Sequence, residues 1–147
     1  MGLNEHLIGV PGSRHALDTP ALLVDRDALQ RNVAAMAAHA RAMGVALRPH
    51  AKTHKSVRIA EMQVAAGALG ICCATMGEAE VMLAGGIPGV HITSPQVTPP
   101  KIARLVALNA RAERGLSVVV DHPDNLRALD RAAAAAMRPL AVLIDFS

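Results

Sequence analysis

The feature that most constrains this chain is an alternation. Short apolar runs of strand length, β-branched or Leu-rich, occur at Ala21–Asp25, Ala46–His50, Gly70–Ala74, Gly89–Thr93, Ser117–Asp121 and Ala141–Asp145. Their starts recur at roughly two dozen residues, about the length of one βα unit. Amphipathic stretches fill the gaps. Over Asp27–Met43, the side chains of Leu29, Val33, Met36, Ala40 and Met43 share one helical face, with Asp27 as N-cap and Gly44 as stop. Ser56–Ala66 ends at Gly67, and Gly77–Ala84 ends at the Gly85-Gly86 pair. Thr98-Pro99 reads as the N-cap and first position of a helix that ends before Gly115. Asp121 and Pro123 open Asp124–Met137, whose extension Pro139 blocks.

Six strands with five intervening helices place the chain in the α/β class, with a parallel sheet and right-handed crossovers. Two architectures fit. An open doubly wound parallel sheet is complete at this length. A TIM-like (β/α)8 barrel needs about 250 residues, and this chain would supply roughly its first six strands. The chain stops at Asp145-Phe146-Ser147, at a strand end with no closing helix, which reads as a fragment of the larger design. Periodicity does not choose between the two.

Composition excludes several functions. Hydrophobic residues make up 52% of the 147, so a packed core is expected. Phe146 is the one aromatic residue, which leaves no platform on which nucleic-acid bases could stack. The net charge is +3, but the Arg residues are spread along the helices and form no basic stripe. Cys72 and Cys73 are adjacent on a strand, point to opposite faces and make neither a metal clamp nor a disulfide framework. They read as small buried residues in a reducing cytoplasm. Met1 to Asp18 lacks the basic start and apolar run of a signal peptide, and no apolar stretch reaches membrane-spanning length. The expectation is a soluble cytoplasmic protein without nucleic-acid or membrane partners.

One strand breaks the pattern. Ala46–His50 continues into Ala51-Lys52-Thr53-His54-Lys55. Leu47, Pro49 and Ala51 form an apolar face; Arg48, His50 and Lys52 form the other. Parallel strands are usually apolar on both sides, as Gly70–Ala74 is. Three ionisable groups on one covered face cost several kcal/mol unless something polar or anionic meets them. They lie towards the strand's carboxyl end, where barrels and open α/β sheets alike place their sites. A lysine partly desolvated there, beside other cations, favours the free amine that attacks carbonyls. Lys52 is the better candidate, because Lys55 lies past the strand and is read as solvated. The bland alternative is an edge strand whose Arg48 and Lys52 simply face water. Elsewhere, His91 reads as a hydrogen-bonded core histidine, Asp25 and Asp145 as turn caps, and Gly85-Gly86 as a helix stop rather than a phosphate loop.

The run Arg48-Pro49-His50-Ala51-Lys52-Thr53-His54-Lys55 resembles the R-P-H-x-K-T-H-K signature of the D-threonine aldolase and D-serine dehydratase family. Asp18–Asp25, Gly70–Ala74, Gly77-Glu78-Ala79-Glu80 and Leu143–Ser147 are similar to segments of that family in the same order, so the likeness runs from Asp18 to Ser147. It implies an alanine-racemase-type barrel, here an incomplete one over 21–147 behind an arm at 1–20. It implies that Lys52 holds pyridoxal 5'-phosphate through a Schiff base, with His50 and Thr53 close to the cofactor. It also implies a divalent metal such as Mn whose ligands lie beyond Ser147, a D-amino acid substrate and a homodimeric full-length form. The implied activity is a lyase acting on β-hydroxy D-amino acids. The ending Ile144-Asp145-Phe146-Ser147 favours a D-threonine aldolase over a D-serine dehydratase. A non-catalytic cofactor carrier and a truncated chain that folds only by pairing with others are the alternatives.

Overall fold

A computed structural model describes residues 3–146; Met1 and Gly2 of the arm and the closing Ser147 lie outside the described residues. Along the chain run α1 (Arg26–Ala42), α2 (Val57–Ala65), β1 (Cys72–Cys73), α3 (Met76–Ala84), β2 (Val90–Ile92), α4 (Pro99–Arg111), β3 (Leu116–Val120), α5 (Pro123–Ala135) and β4 (Ala141–Ile144). The strands form one parallel sheet in the order β1-β2-β3-β4, each beside its predecessor. A doubly wound sheet reverses its strand order at a switch point. This sheet does not, so its winding is that of a barrel sector.

Two of the six expected strands are not regular strands. Ala46–His50 still lies alongside the next segment. The Leu69 N–H donates to the Leu47 carbonyl at 2.8 Å, the Cys72 N–H donates to the Pro49 carbonyl at 2.7 Å, and His50 bridges Cys72. The ladder is incomplete because Pro49 has no N–H to return. Ala21–Asp25 forms no strand at all: Leu22, Leu23 and Val24 are exposed. An extended segment is held by pairing with neighbours, and without them its apolar side chains have no face to bury. Asp25 instead caps α1, its Oδ1 accepting the Ala28 N–H at 2.8 Å, so the cap lies two residues before the expected Asp27.

Side-chain alternation divides the sheet into two unlike faces. Ile71, Cys73, Val90, Ile92, Leu116, Val118 and Val120 form a single buried cluster with Ala60 of α2, Met82 of α3, Leu105 of α4 and Leu129 of α5. Successive helices thus cover the same face, as in a barrel wall. Each large side chain so buried contributes about 1.5–3 kcal/mol relative to exposure. The other face carries the register row His50, Cys72, His91, Ser117 and Ala141.

Four helices end in one way. In α1, α2 and α3 the residue after the C-cap is Gly44, Gly67 or Gly86, at positive φ. Its N–H and the next one reach back to the last-turn carbonyls, as in Gly44 to Arg41 and Val45 to Ala40. In α5 the same bonds run from Met137 to Ala134 and from Arg138 to Ala133, but a methionine at φ 50° occupies the left-handed position. The helix therefore stops at Ala135, two residues before the expected Met137. Thr98 stands at the N-cap of α4 without a side-chain bond, and Pro99 and Pro100 fill the first two helical positions, where they leave no N–H to satisfy.

Where the loops enter β1 and β2, Gly70 and Gly89 press backbone on backbone. A Cβ on Gly89, at φ 58°, would meet the Leu69 carbonyl, and one on Gly70 would meet the Gly89 carbonyl. Gly89→Ala is therefore expected to lower the unfolding free energy by about 2–4 kcal/mol, measured by denaturant titration. Met137→Gly is expected to raise it by up to about 1 kcal/mol, because the left-handed conformation no longer opposes a Cβ. A destabilised Met137→Gly chain would contradict the reading of the α5 terminus.

Candidate active site at the carboxyl end of the sheet

The segment with the unusual sequence keeps the face assignment read from it as far as His50. Leu47 and Pro49 turn toward Leu29, Val33 and Met36 of α1, and Ala51 is fully buried in the core. After His50 the chain leaves the strand. Ala51–Thr53 is a 3-10 turn whose N-cap is His50, and the Lys52 N–H donates to His50 Nδ1 at 3.2 Å. The Thr53 hydroxyl donates to the His50 carbonyl at 3.3 Å, and the Lys55 N–H to the Ala51 carbonyl at 2.7 Å. Lys52 thus projects from a turn at the strand's end, not from the strand itself, and its side chain is exposed. The expected desolvation of Lys52 is absent, because the helices pack on the opposite face of the sheet.

His50 is held from both sides. Besides the Lys52 amide, its Nε2 lies 3.1 Å from Thr93 Oγ1, and Thr93 Oγ1 donates to the Cys73 carbonyl at 3.1 Å. Partial burial holds the ring's pKa below the ordinary imidazole value; the Lys52 charge adds to the effect and Glu78 opposes it. His91, 7% exposed, has its Nδ1 2.9 Å from Ser117 Oγ. Burial first, then Arg48 and His50, lower its pKa. It is the hydrogen-bonded histidine expected from its neighbours. Arg48 has its Nε buried without a partner.

The second lysine is exposed, as read from the sequence, and has a carboxylate beside it. Lys55 Nζ lies 3.8 Å from Glu78 Oε1, and Glu78 Oε2 accepts the Ala74 N–H at 2.8 Å. Lys55 also sits at φ 49°, closing the turn in the left-handed region. Lys52 has no salt bridge among the described residues. The cysteines lie on opposite faces as read. The Cys73 thiol is pushed up to about 12 by burial, with Glu78 and Cys72 adding to it, and stays protonated. No group of three His, Cys, Asp or Glu that could hold a metal ion occurs among the described residues. Nor is any of their helices long and apolar enough to cross a membrane.

The structure therefore gathers Lys52, His50 and Thr53 in one turn at the carboxyl end of the sheet. It adds Glu78 and Thr93, which sequence reasoning did not single out as site residues. The one signal for Thr93 was its place as last residue of the Gly89–Thr93 run, where α/β sites collect.

The profile of the alanine racemase, N-terminal domain matches residues 24–147. The chain is 43% identical over 129 residues to a D-threonine aldolase of Arthrobacter sp, covering 88% of this chain and 34% of that protein. Among solved structures, a D-threonine aldolase from Filomicrobium marinum superposes with a TM-score of 0.84 at 43% identity, over 88% of this chain and 35% of the other. The D-threo-3-hydroxyaspartate dehydratase from Delftia sp. HT23 gives 0.79 at 37% identity, over 87% and 33%. The chain spans about a third of the length of these relatives. With a barrel-sector sheet, a lysine-bearing turn at its carboxyl end and a match over residues 24–147, this chain belongs to the alanine racemase N-terminal domain family.

Proposed function

We propose that the chain is the lysine-bearing part of a pyridoxal-phosphate-dependent lyase for β-hydroxy D-amino acids, which cleaves them as a D-threonine aldolase does. The observation that carries this reading is the contrast between the two lysines of the turn. Both lysines are exposed, but Lys55 lies 3.8 Å from Glu78, whereas Lys52 has no ion pair among the described residues and is anchored through its own amide to His50. An amine that must bond covalently to an aldehyde has to be free at its head and fixed at its base; Lys52 is both.

The residues present suit the lysine end of the cofactor. Lys52 would hold its aldehyde carbon. His50 would stand beside it as a neutral ring, favoured by partial burial and the Lys52 charge. Thr53 has its hydroxyl proton engaged with the His50 carbonyl and retains lone pairs to accept a bond. The unpartnered Arg48 Nε offers a donor on the sheet face that carries His50. When bound, pyridoxal phosphate supplies an electron-withdrawing ring that stabilises negative charge at the substrate Cα. The Lys52 amine would be the group to hold or move a proton at that carbon.

Aldolase and dehydratase differ in whether the Cα–Cβ bond breaks or the Cα proton leaves. The aldolase reading is supported by 43% identity to a D-threonine aldolase. The lower identity of 37% to a dehydratase structure gives weaker support to a second reading, in which Lys52 takes the Cα proton. The divalent metal expected for the family finds no ligand set among the described residues, so no step is assigned to it. A homodimer and a cytoplasmic setting go with the aldolase reading as parts of the same proposal.

Adding pyridoxal phosphate, reducing with borohydride and mapping the modified peptide by mass tests the assignment. Modification confined to Lys52, abolished in Lys52→Ala and unchanged in Lys101→Ala, is the expected result. Label spread over Lys52, Lys55 and Lys101, or none, would overturn it. Release of aldehyde, keto acid or ammonia from β-hydroxy D-amino acids then separates a lyase from a carrier that binds cofactor and turns nothing over.

A further inference from the structure

Beside Lys52 a line of hydrogen bonds runs from one backbone group to another through two side chains. The Lys52 N–H meets His50 Nδ1 at 3.2 Å, His50 Nε2 meets Thr93 Oγ1 at 3.1 Å, and Thr93 Oγ1 meets the Cys73 carbonyl at 3.1 Å. The direction of every bond follows from its ends. An amide N–H can only donate, so Nδ1 carries no proton and the neutral ring holds its proton on Nε2. A carbonyl can only accept, so the Thr93 hydroxyl proton goes to Cys73. Thr93 Oγ1 is left with lone pairs, which accept the Nε2–H.

We infer that Thr93 is a positioning residue for Lys52: anchored on the Cys73 carbonyl, it selects the Nε2–H tautomer of His50, and the ring then fixes the Lys52 amide and the turn around it. The inference rests on Lys52 being the cofactor lysine and adds a residue from the far side of β1. Thr93 follows β2, Cys73 ends β1, and His50 lies on the segment beyond β1, so three neighbouring segments of the sheet are tied together at the site. The surrounding charges agree with a neutral ring. Lys52 from the turn opposes a second proton, Glu78 from α3 favours one, and His91 from β2 is itself held below the ordinary imidazole pKa. A doubly protonated ring would have a proton on Nδ1 and lose the Lys52 bond. Valine at 93 would keep the shape and remove both hydroxyl bonds; serine would keep the hydroxyl.

The test uses the 147-residue chain and needs no cofactor for its first two readouts. Side-chain nitrogen shifts give the His50 tautomer, and amide hydrogen exchange gives the protection of Lys52. The native chain and Thr93→Ser should show a single Nε2–H tautomer. Thr93→Val should show mixed tautomers and a Lys52 amide that exchanges roughly fivefold faster, the loss of one hydrogen bond. Borohydride trapping of pyridoxal phosphate at Lys52 should slow in Thr93→Val and recover in Thr93→Ser, with Lys101 unaffected. Should the valine variant fold poorly, Thr93→Ala removes the same hydroxyl without placing a second methyl. A valine or alanine variant with one tautomer and native Lys52 exchange would overturn the role of Thr93. Tautomer and exchange responding to position 93 while native protein traps nothing at Lys52 would uphold the bond line and overturn the cofactor-lysine reading instead.

Discussion

Burial of one face of the sheet is the constraint on which the rest depends. Ile71, Cys73, Val90, Ile92, Leu116, Val118 and Val120 lock onto Met82, Leu105 and Leu129 of the covering helices. With side chains alternating by residue, that burial dictates the register: a slip of one position would turn the apolar set outward. The polar row His50, Cys72, His91 and Ser117 is what the same register leaves on the other face. The site is thus a consequence of packing on the opposite side of the sheet.

Small residues let this packing close with almost no aromatic volume. Gly70 and Gly89 bring the starts of β1 and β2 into direct backbone contact, and Ala51, Ala60 and Ala79 are fully buried where helix and sheet approach. Ala51 bears most directly on the candidate site. It is the buried foot of the turn that carries Lys52, so the core holds the turn from below while His50 and Thr93 hold it from the side. An exposed lysine head on a doubly anchored backbone is the physical content of the site.

The order of strands and helices was legible because each apolar run and each amphipathic stretch reports its own burial. Gly44, Gly67 and Gly86 announced three helix ends correctly, since only glycine enters the left-handed position without cost. Met137 did not announce the fourth, because nothing in a methionine signals positive φ. Ala21–Asp25 looked like a strand by composition and is not one: strand structure needs partners, and composition does not supply them. Pro49 was visible in the sequence, yet its effect of reducing Ala46–His50 to a bridge depended on which neighbour the strand met.

The sequence by itself determined the α/β class, the apolar face of each strand and the lysine-bearing motif, because periodicity and residue chemistry are local properties of the chain. Tertiary structure alone decided that the strands follow one another in barrel order, that Lys52 sits on a turn and not in the strand, and that Thr93 reaches His50. Those are relations between segments as much as 43 residues apart, and they exist only once the helices have buried one side of the sheet and fixed its register.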